Sequence, residues 1–272
     1  MNILVTGANG FIGSNIINQL KDYTLFKGTR ENIDLYNKKN IESFILKNKI
    51  NCVIHCAIEG GSRLKEDTSD ILYKNIIMFE NLISFYEHYD MFINISSGAE
   101  FDRKNDILNY SEYEIYKNTP IDYYGLSKNI ISKLSLSYNR TLNLRIFGCF
   151  GKNEPSTRFI KLNLNNYINR NPIIIHQDKW MDFIYIDDVC KIINQSIKKS
   201  IHGDINLSYT KKYKLSNIAD MINQLNDYKV KIDIVESELG LSYTGNSNKL
   251  KNLNIPLNGL TNGIYECYKS CA

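Results

Sequence analysis

Tyr124 and Lys128 stand four residues apart in Tyr124-Gly125-Leu126-Ser127-Lys128, a spacing that puts a phenol and an ammonium on one face of a helix. A tyrosine ordinarily titrates near pH 10, too high for ready proton exchange at neutral pH, and a neighbouring ammonium favours its phenolate. The pair therefore reads as a proton donor tuned by a lysine. With 19 tyrosines in the chain the same spacing also arises by chance, and spacing alone leaves both readings open. A second chemical signal lies at the start, where Gly7-Ala8-Asn9-Gly10-Phe11-Ile12-Gly13 has the form G-x-x-G-x-x-G. Gly7 suits a tight turn, Gly10 lets backbone approach a pyrophosphate, and Gly13 allows close helix packing. A helix opening at this turn offers amide N–H groups and a positive dipole end to phosphate. Gly7, Asn9, Gly10, Phe11, Ile12 and Gly13 are the candidate cradle; a tight turn without ligand is the plainer alternative. The third signal is Phe26-Lys27-Gly28-Thr29-Arg30, which carries no carboxylate before Glu31. An NAD site usually places an acidic residue there for the ribose hydroxyls. Arg30, with Thr29 and Lys27, instead suits a 2′-phosphate, since a guanidinium matches phosphate with two bonds. NADPH is the cofactor this predicts, against a solvated surface arginine. Asp34 and Leu35 fall where a carboxylate would meet the adenine amine, or where a helix would be capped.

These groups need elements to hold them. Apolar runs at Asn2–Thr6, Thr24–Lys27, Cys52–Cys56, Phe92–Ser96 and Leu142–Ile146 read as strands. Between them, Ile12, Ile16, Ile17 and Leu20, and more weakly Ile41, Phe44, Ile45 and Asn48, repeat at helical period. Strands alternating with helices give an α/β fold, a Rossmann-type doubly wound parallel sheet over residues 1–150. Residues 151–272 then read as a smaller α/β substrate-binding lobe, with some later segments returning to the sheet. Its elements are helices at Arg158–Asn169, Asp187–Lys199 and Leu215–Asn226, and strands at Ile173–Ile175, Phe183–Ile186, Ile205–Leu207 and Lys231–Val235.

Composition narrows the class. A net charge of +4 with interspersed signs gives no footing for nucleic acid but does not repel a phosphate-bearing substrate. No apolar run is long enough for a membrane span. Met1–Thr6 reads as a buried strand rather than a signal peptide, so a cytoplasmic protein with reduced thiols is expected. The six cysteines are scattered, and no metal site is expected.

With the glycine turn and the Tyr/Lys pair in place, the chain resembles the extended short-chain dehydrogenase/reductases, the NAD-dependent epimerase/dehydratase type. In Ile95-Ser96-Ser97-Gly98-Ala99-Glu100-Phe101, counting back from the aromatic as that family does selects Ser97 as the third catalytic group, which would hold a substrate carbonyl oxygen. The resemblance further implies that Cys56 and Ala57 lie along the cofactor, that Asn75 is the family's structural asparagine beside it, and that Phe147, in Leu144–Gly151, passes the nicotinamide. Asp182-Phe183-Ile184-Tyr185-Ile186-Asp187-Asp188-Val189 resembles the family's D-F-I-x-V-x-D-V segment. Lys128 would also hold ribose hydroxyls.

Two departures bear on the reaction. The family's 4,6-dehydratases carry Asp-Glu directly after the catalytic hydroxyl; here those positions are Gly98 and Ala99, with Glu100 one place late and expected on the other side of the strand. The arginine that clamps a nucleotide diphosphate before Asp182 is replaced by Met181, leaving Arg158, Lys161 or Lys179 as substitutes and His176 as a loop histidine. The stretch Phe26–Leu35 resembles GDP-fucose synthase-like enzymes, which reduce 4-keto sugars with NADPH, although the Cys of their epimerisation step is Ala99 here. The expected activity is NADPH-dependent reduction of the C4 ketone of a nucleotide-activated deoxy sugar or heptose for surface polysaccharide. A nucleotide-sugar 4-epimerase holding NAD and a noncatalytic NADP sensor are the alternatives. A homodimer through the Tyr124 helix, by Ile131, Leu134 and Tyr138, would fit the family, as would packing of that face on the sheet.

Overall fold

The computed structural model describes residues 1–61 and 66–271. Along the chain run β1 (Asn2–Thr6), α1 (Phe11–Gln19), β2 (Thr24–Gly28), α2 (Lys38–Lys47), β3 (Cys52–His55), α3 (Ser69–Ile83), β4 (Met91–Ser97), β5 (Ile107–Tyr110), α4 (Tyr123–Ser135) and β6 (Thr141–Ile146). Then follow β7 (Cys149–Phe150), α5 (Phe159–Ile168), β8 (Ile173–Gln177), β9 (Ile184–Tyr185), α6 (Ile186–Lys198) and β10 (Gly203–Leu207). The last are α7 (Leu215–Asn223), β11 (Ile232–Glu236), β12 (Tyr243–Gly245), α8 (Asn248–Asn252) and α9 (Gly259–Lys269). A short 3-10 turn, Gly98–Phe101, continues directly from β4. Two compact units result, one of Met1–Arg103, Glu112–Arg145 and Ile192–Ile205, the other of Lys104–Ser111, Ile146–Lys191 and Asn206–Ala272.

The first unit is built on a six-stranded sheet of order β10-β6-β4-β3-β1-β2. Parallel pairing joins β1 to both β2 and β3, and β3 to β4. This is the α/β doubly wound architecture that the alternation of elements predicts. β3 is buried at every residue, as a strand covered on both faces must be. Strand order runs outward from β1 in both directions, the arrangement that opens a crevice at the carboxyl ends of neighbouring strands. Register sets the ends level, with Thr6 opposite both Gly28 and His55. On one face a core forms from Leu4, Ile41, Ile45, Val53, Phe79, Phe92 and Ile131. Ile131 thus faces inward from α4 and Tyr138 packs on the same cluster, so that of the three residues considered for a dimer only Leu134, at 40% exposure, faces solvent.

The second unit holds small parallel pairs: β8 with β11, β5 with β12, and β7 with β9. β5 and β12 were outside the sequence expectation. Each is only a few residues long, Asn109 sits at φ +55° within β5, and the pairing shifts register between Tyr243 and Gly245. α7 also stops at Asn223, short of the expected Asn226. Among the described residues no helix is long and apolar enough to cross a membrane.

Candidate active site and dinucleotide cradle

At the end of β1 the chain turns at Gly7 with φ +62°, and a Cβ there would lie 2.8 Å from Ala57 N, so backbone of two strand ends meets with no side chain between. A Cβ on Gly13 would overlap Gly7 O, which fixes how closely α1 sits on the turn. Gly10 caps α1 without any side-chain hydrogen bond, leaving backbone amides and the positive end of the helix as the features presented there. Asn9 and Gly10 are exposed and Phe11 and Ile12 half-buried. This cradle has the shape and polarity a pyrophosphate needs. Beside it Thr6 Oγ1 accepts from Cys56 N and Ala57 N, both at 3.2 Å, which places the end of β3 against the turn. Burial pushes the Cys56 thiol up to about 12 against the opposing Lys128, and burial pushes His55 down to about 3, so both are neutral.

Past β2, Thr29 N donates to Asn32 Oδ1 at 2.8 Å, and Thr29 O accepts from Asn32 and Ile33. Arg30, with its side chain 87% exposed, ion-pairs with Glu59. Asp34 does not cap α2: Asn37 does, accepting from Asn40 N, while Asp34 Oδ1 accepts from Tyr36 N at 2.9 Å. Leu35 O accepts from Asn81 Nδ2. Asn75 binds both backbone groups of Glu59, accepting from its N at 2.8 Å and donating to its O at 3.0 Å, and donates to Ser127 Oγ at 3.1 Å. Asn75 therefore ties the loop after β3 to α4 and sets where the Glu59 carboxylate meets Arg30.

α4 begins at Asp122, whose Oδ1 accepts from Gly125 N at 2.8 Å and from Arg103 Nη2 at 2.9 Å. The Arg103 guanidinium lies 6.0 Å from the centroid of the half-buried Tyr124 ring. Lys128, only 5% exposed, donates to Ile95 O at 2.7 Å, two residues before Ser97. Burial lowers its ammonium to about 8, with Glu100 and Cys56 pulling the other way. Ser97 is half-buried at the end of β4, and its Oγ accepts from Ala99 N at 3.2 Å. A Cβ on Gly125 would come 2.7 Å from Ala99 O, so this glycine lets the first turn of α4 sit directly against the turn that follows Ser97. Glu100 is wholly buried and pairs with Arg145.

In the second unit Phe147 stacks edge-on to Tyr243 with centroids 5.2 Å apart. Met181, where the arginine would stand, is buried. The cation beside Asp182 comes instead from Lys212, which donates to Asp182 Oδ2 at 2.7 Å, to Ser208 Oγ, and to Gly245 O at 2.5 Å. Lys161 donates to Cys271 Sγ at 2.7 Å, Arg158 to Cys149 O at 3.4 Å, and the exposed His176 pairs with Glu236 at 2.8 Å. Lys179 O accepts from Leu215 N. Asp188 accepts from Asn258 N, Gly259 N and Tyr209 OH, which makes it the cap of α9. Among the described residues no cluster of His, Cys, Asp or Glu could hold a metal ion.

The sequence model of the NAD dependent epimerase/dehydratase family matches residues 3–208. The chain belongs to that family. A GDP-6-deoxy-D-talose 4-dehydrogenase of Aggregatibacter actinomycetemcomitans is 23% identical over 249 residues, 85% of this chain and 82% of that protein. Among solved structures, GDP-mannoheptose C4 reductase from Campylobacter jejuni with NADP bound superposes with a TM-score of 0.84 at 15% identity, covering 99% of this chain and 98% of the other. UDP-glucose 4-epimerase from Thermotoga maritima gives 0.81 at 18% identity, covering 99% and 98%. The fold is thus shared by reductases and epimerases of the family.

Within this epimerase/dehydratase chain, Gly125, Arg103, Asp122 and Glu59 join the site without having been singled out by sequence. Gly125 lay inside the Tyr/Lys motif, where its closeness to Ala99 had no signal. Glu59 and Arg103 act through partners 29 and 19 residues away, which spacing does not reveal.

Proposed function

We propose that this chain is an NADPH-dependent reductase of the C4 ketone of a nucleotide-activated 4-keto deoxy sugar or heptose. The observation that carries this reading is the buried Lys128 ammonium, anchored on Ile95 O beside Ser97 and one helical turn from Tyr124. NADPH, when bound, supplies the hydride. Gly7, Asn9, Gly10, Phe11, Ile12 and Gly13 hold its pyrophosphate, Arg30 and Thr29 its 2′-phosphate, and Asp34 and Leu35 flank the adenine. Cys56, Ala57, Asn75 and Phe147 line its remaining length. The Ser97 hydroxyl donates to the carbonyl oxygen and steadies the charge that develops there. The Tyr124 phenol gives its proton to that oxygen, and Lys128 holds ribose hydroxyls and keeps the phenol acidic enough to do so. Gly98 and Ala99 bring neither acid nor base for eliminating water, which supports reduction over dehydration. Arg30 supports net consumption of NADPH over the recycled NAD of an epimerase. The names of the C4 reductase and the 4-dehydrogenase above support the same chemistry.

Tyr124→Phe removes the proton and keeps the ring. Its kcat should fall at least about a hundredfold, since general acid catalysis supplies that much or more. NADPH affinity should stay within about threefold, as the ring and Lys128 remain. Steady-state kinetics and NADPH fluorescence titration read the two quantities. Parental turnover in the phenylalanine variant overturns the assignment.

A further inference from the structure

We infer that Glu100 is a positioning residue for this reaction: it clamps the turn carrying Ser97 onto the helix carrying Tyr124 and Lys128, and its carboxylate is the buried counter-charge of the Lys128 ammonium. The inference rests on the roles given above to those three residues. Glu100 lies in the 3-10 turn that begins one residue after Ser97 and is 0% exposed. Its Oε2 accepts from Ser96, the neighbour of Ser97, and from Ser132 Oγ at 2.8 Å, one turn beyond Lys128 on α4. Ser96 and Ser132 also bond each other at 2.8 Å. Its backbone O accepts from Asn129 Nδ2 at 2.9 Å, on the same helix. Its Oε1 accepts from Arg145 of β6. One side chain thus joins β4, α4 and β6, the three elements around the catalytic residues.

The charges point the same way. Arg145 is fully buried and faces two carboxylates, Glu100 and Asp204, the second at 2.9 Å. With both carboxylates ionised, one guanidinium leaves a negative charge inside the protein, and an uncompensated buried charge is costly, so a further cation nearby stabilises the set. Lys128 is a buried ammonium with a carbonyl as its hydrogen-bond acceptor. The ionisable groups that interact with it are Glu100 from the turn after β4 and Cys56 and His55 from the end of β3; Tyr124 stands one turn before it on the same helix. Cys56 and His55 are neutral; burial raises the Glu100 carboxyl, but the Arg145 guanidinium paired with it and the Ser96 and Ser132 hydroxyls donating to it hold its ionised form, so Glu100 is the anion among them.

The test reads Lys128 directly, without cofactor or substrate. In protein carrying 13C-labelled lysine, the Cε resonance of Lys128, assigned by its loss in Lys128→Arg, is followed against pH. The unaltered protein should titrate near 8. Glu100→Gln should weaken proton binding by about tenfold, lowering the midpoint by about one pH unit. Glu100→Asp keeps the charge and should titrate with the parent. Asp204→Asn removes a carboxylate that does not face Lys128 and should move the midpoint less than half as far. The alkaline limb of kcat should shift in the same order, whereas Ser132→Ala should lower kcat several-fold with that limb unmoved. A parental midpoint in Glu100→Gln, or an equal displacement in Asp204→Asn, overturns the inference. If Glu100→Gln does not fold, Glu100→Asp decides, because a midpoint lowered by a full unit there contradicts the counter-charge. Failure to turn over any keto sugar sinks the reductase reading but leaves the titration as it stands.

Discussion

Arg30 is an exposed guanidinium already held in place by Glu59, and the proposed reading rests the choice of dinucleotide on it. An exposed ion pair contributes little to stability, so its value lies in orientation, with the remaining N–H groups open to a phosphate. Replacing Arg30 by Ala should weaken NADPH binding by about tenfold to a hundredfold, the worth of a charge-assisted contact. NADH affinity should hardly change, and fluorescence titration with both dinucleotides checks this; equal losses for the two would mean that Arg30 does not meet the 2′-phosphate. The residues proposed to do chemistry could be singled out because their signal is packed into short spacings: Tyr124 with Lys128, Ser97 ahead of Phe101, Arg30 where a carboxylate is missing. The residues that hold them were not. Glu100 read only as an acid in the wrong place, because its guanidinium partner lies 45 residues on in β6.

At the scale of elements, α4 and the turn after β4 are the two pieces whose contact brings the proposed catalytic residues together. Gly125 permits that contact, since a Cβ would stand 2.7 Å from Ala99 O. Gly125→Ala, harmless or helpful to an isolated helix, should here push α4 away from the Ser97 turn and lower kcat by about tenfold or more, with smaller loss of NADPH binding. Kinetics beside a thermal melt checks this; parental kcat would show that the contact has slack. The strands of the main sheet were readable to within about two residues because each is a continuous apolar run between glycine, asparagine or charged breaks. β5 and β12 were not, since their pairing is made by Asn109 N on Thr244 Oγ1 and by backbone bonds across a register shift rather than by an apolar pattern. The helix that bears Tyr124 was expected, yet which way Ile131 points depends on the core it meets.

For the whole molecule, the sheet borrows Ile192–Ile205 from late in the chain, and Lys104–Ser111 leaves early for the second unit. Such exchanges depend on which distant segments pair and leave no local mark in the sequence. The second unit holds a global pH sensitivity in Glu154, a 6% exposed carboxyl with Oε1 unpartnered. Burial pushes it up to about 7, against Arg158 and Lys161. The folded chain then binds this proton more tightly than the unfolded chain, where glutamate titrates near 4.5. Its contribution to stability is therefore whole below that value and is lost as pH rises through about 7. Glu154→Gln should match the parent near the acid end and exceed it by up to about 3 kcal/mol at alkaline pH. Thermal melts across pH check this, and identical slopes in the two proteins would contradict it. The central claim is hydride delivery to a keto sugar, and the direct measurement is the near-ultraviolet absorbance of NADPH as GDP-, CDP-, UDP- and dTDP-linked 4-keto-6-deoxy sugars and a GDP-linked 4-keto heptose are offered in turn. The prediction is stoichiometric loss of NADPH with one nucleotide series and conversion of that ketone to an alcohol; a sugar altered with no NADPH consumed, or NADPH bound while every sugar stays unchanged, would contradict it.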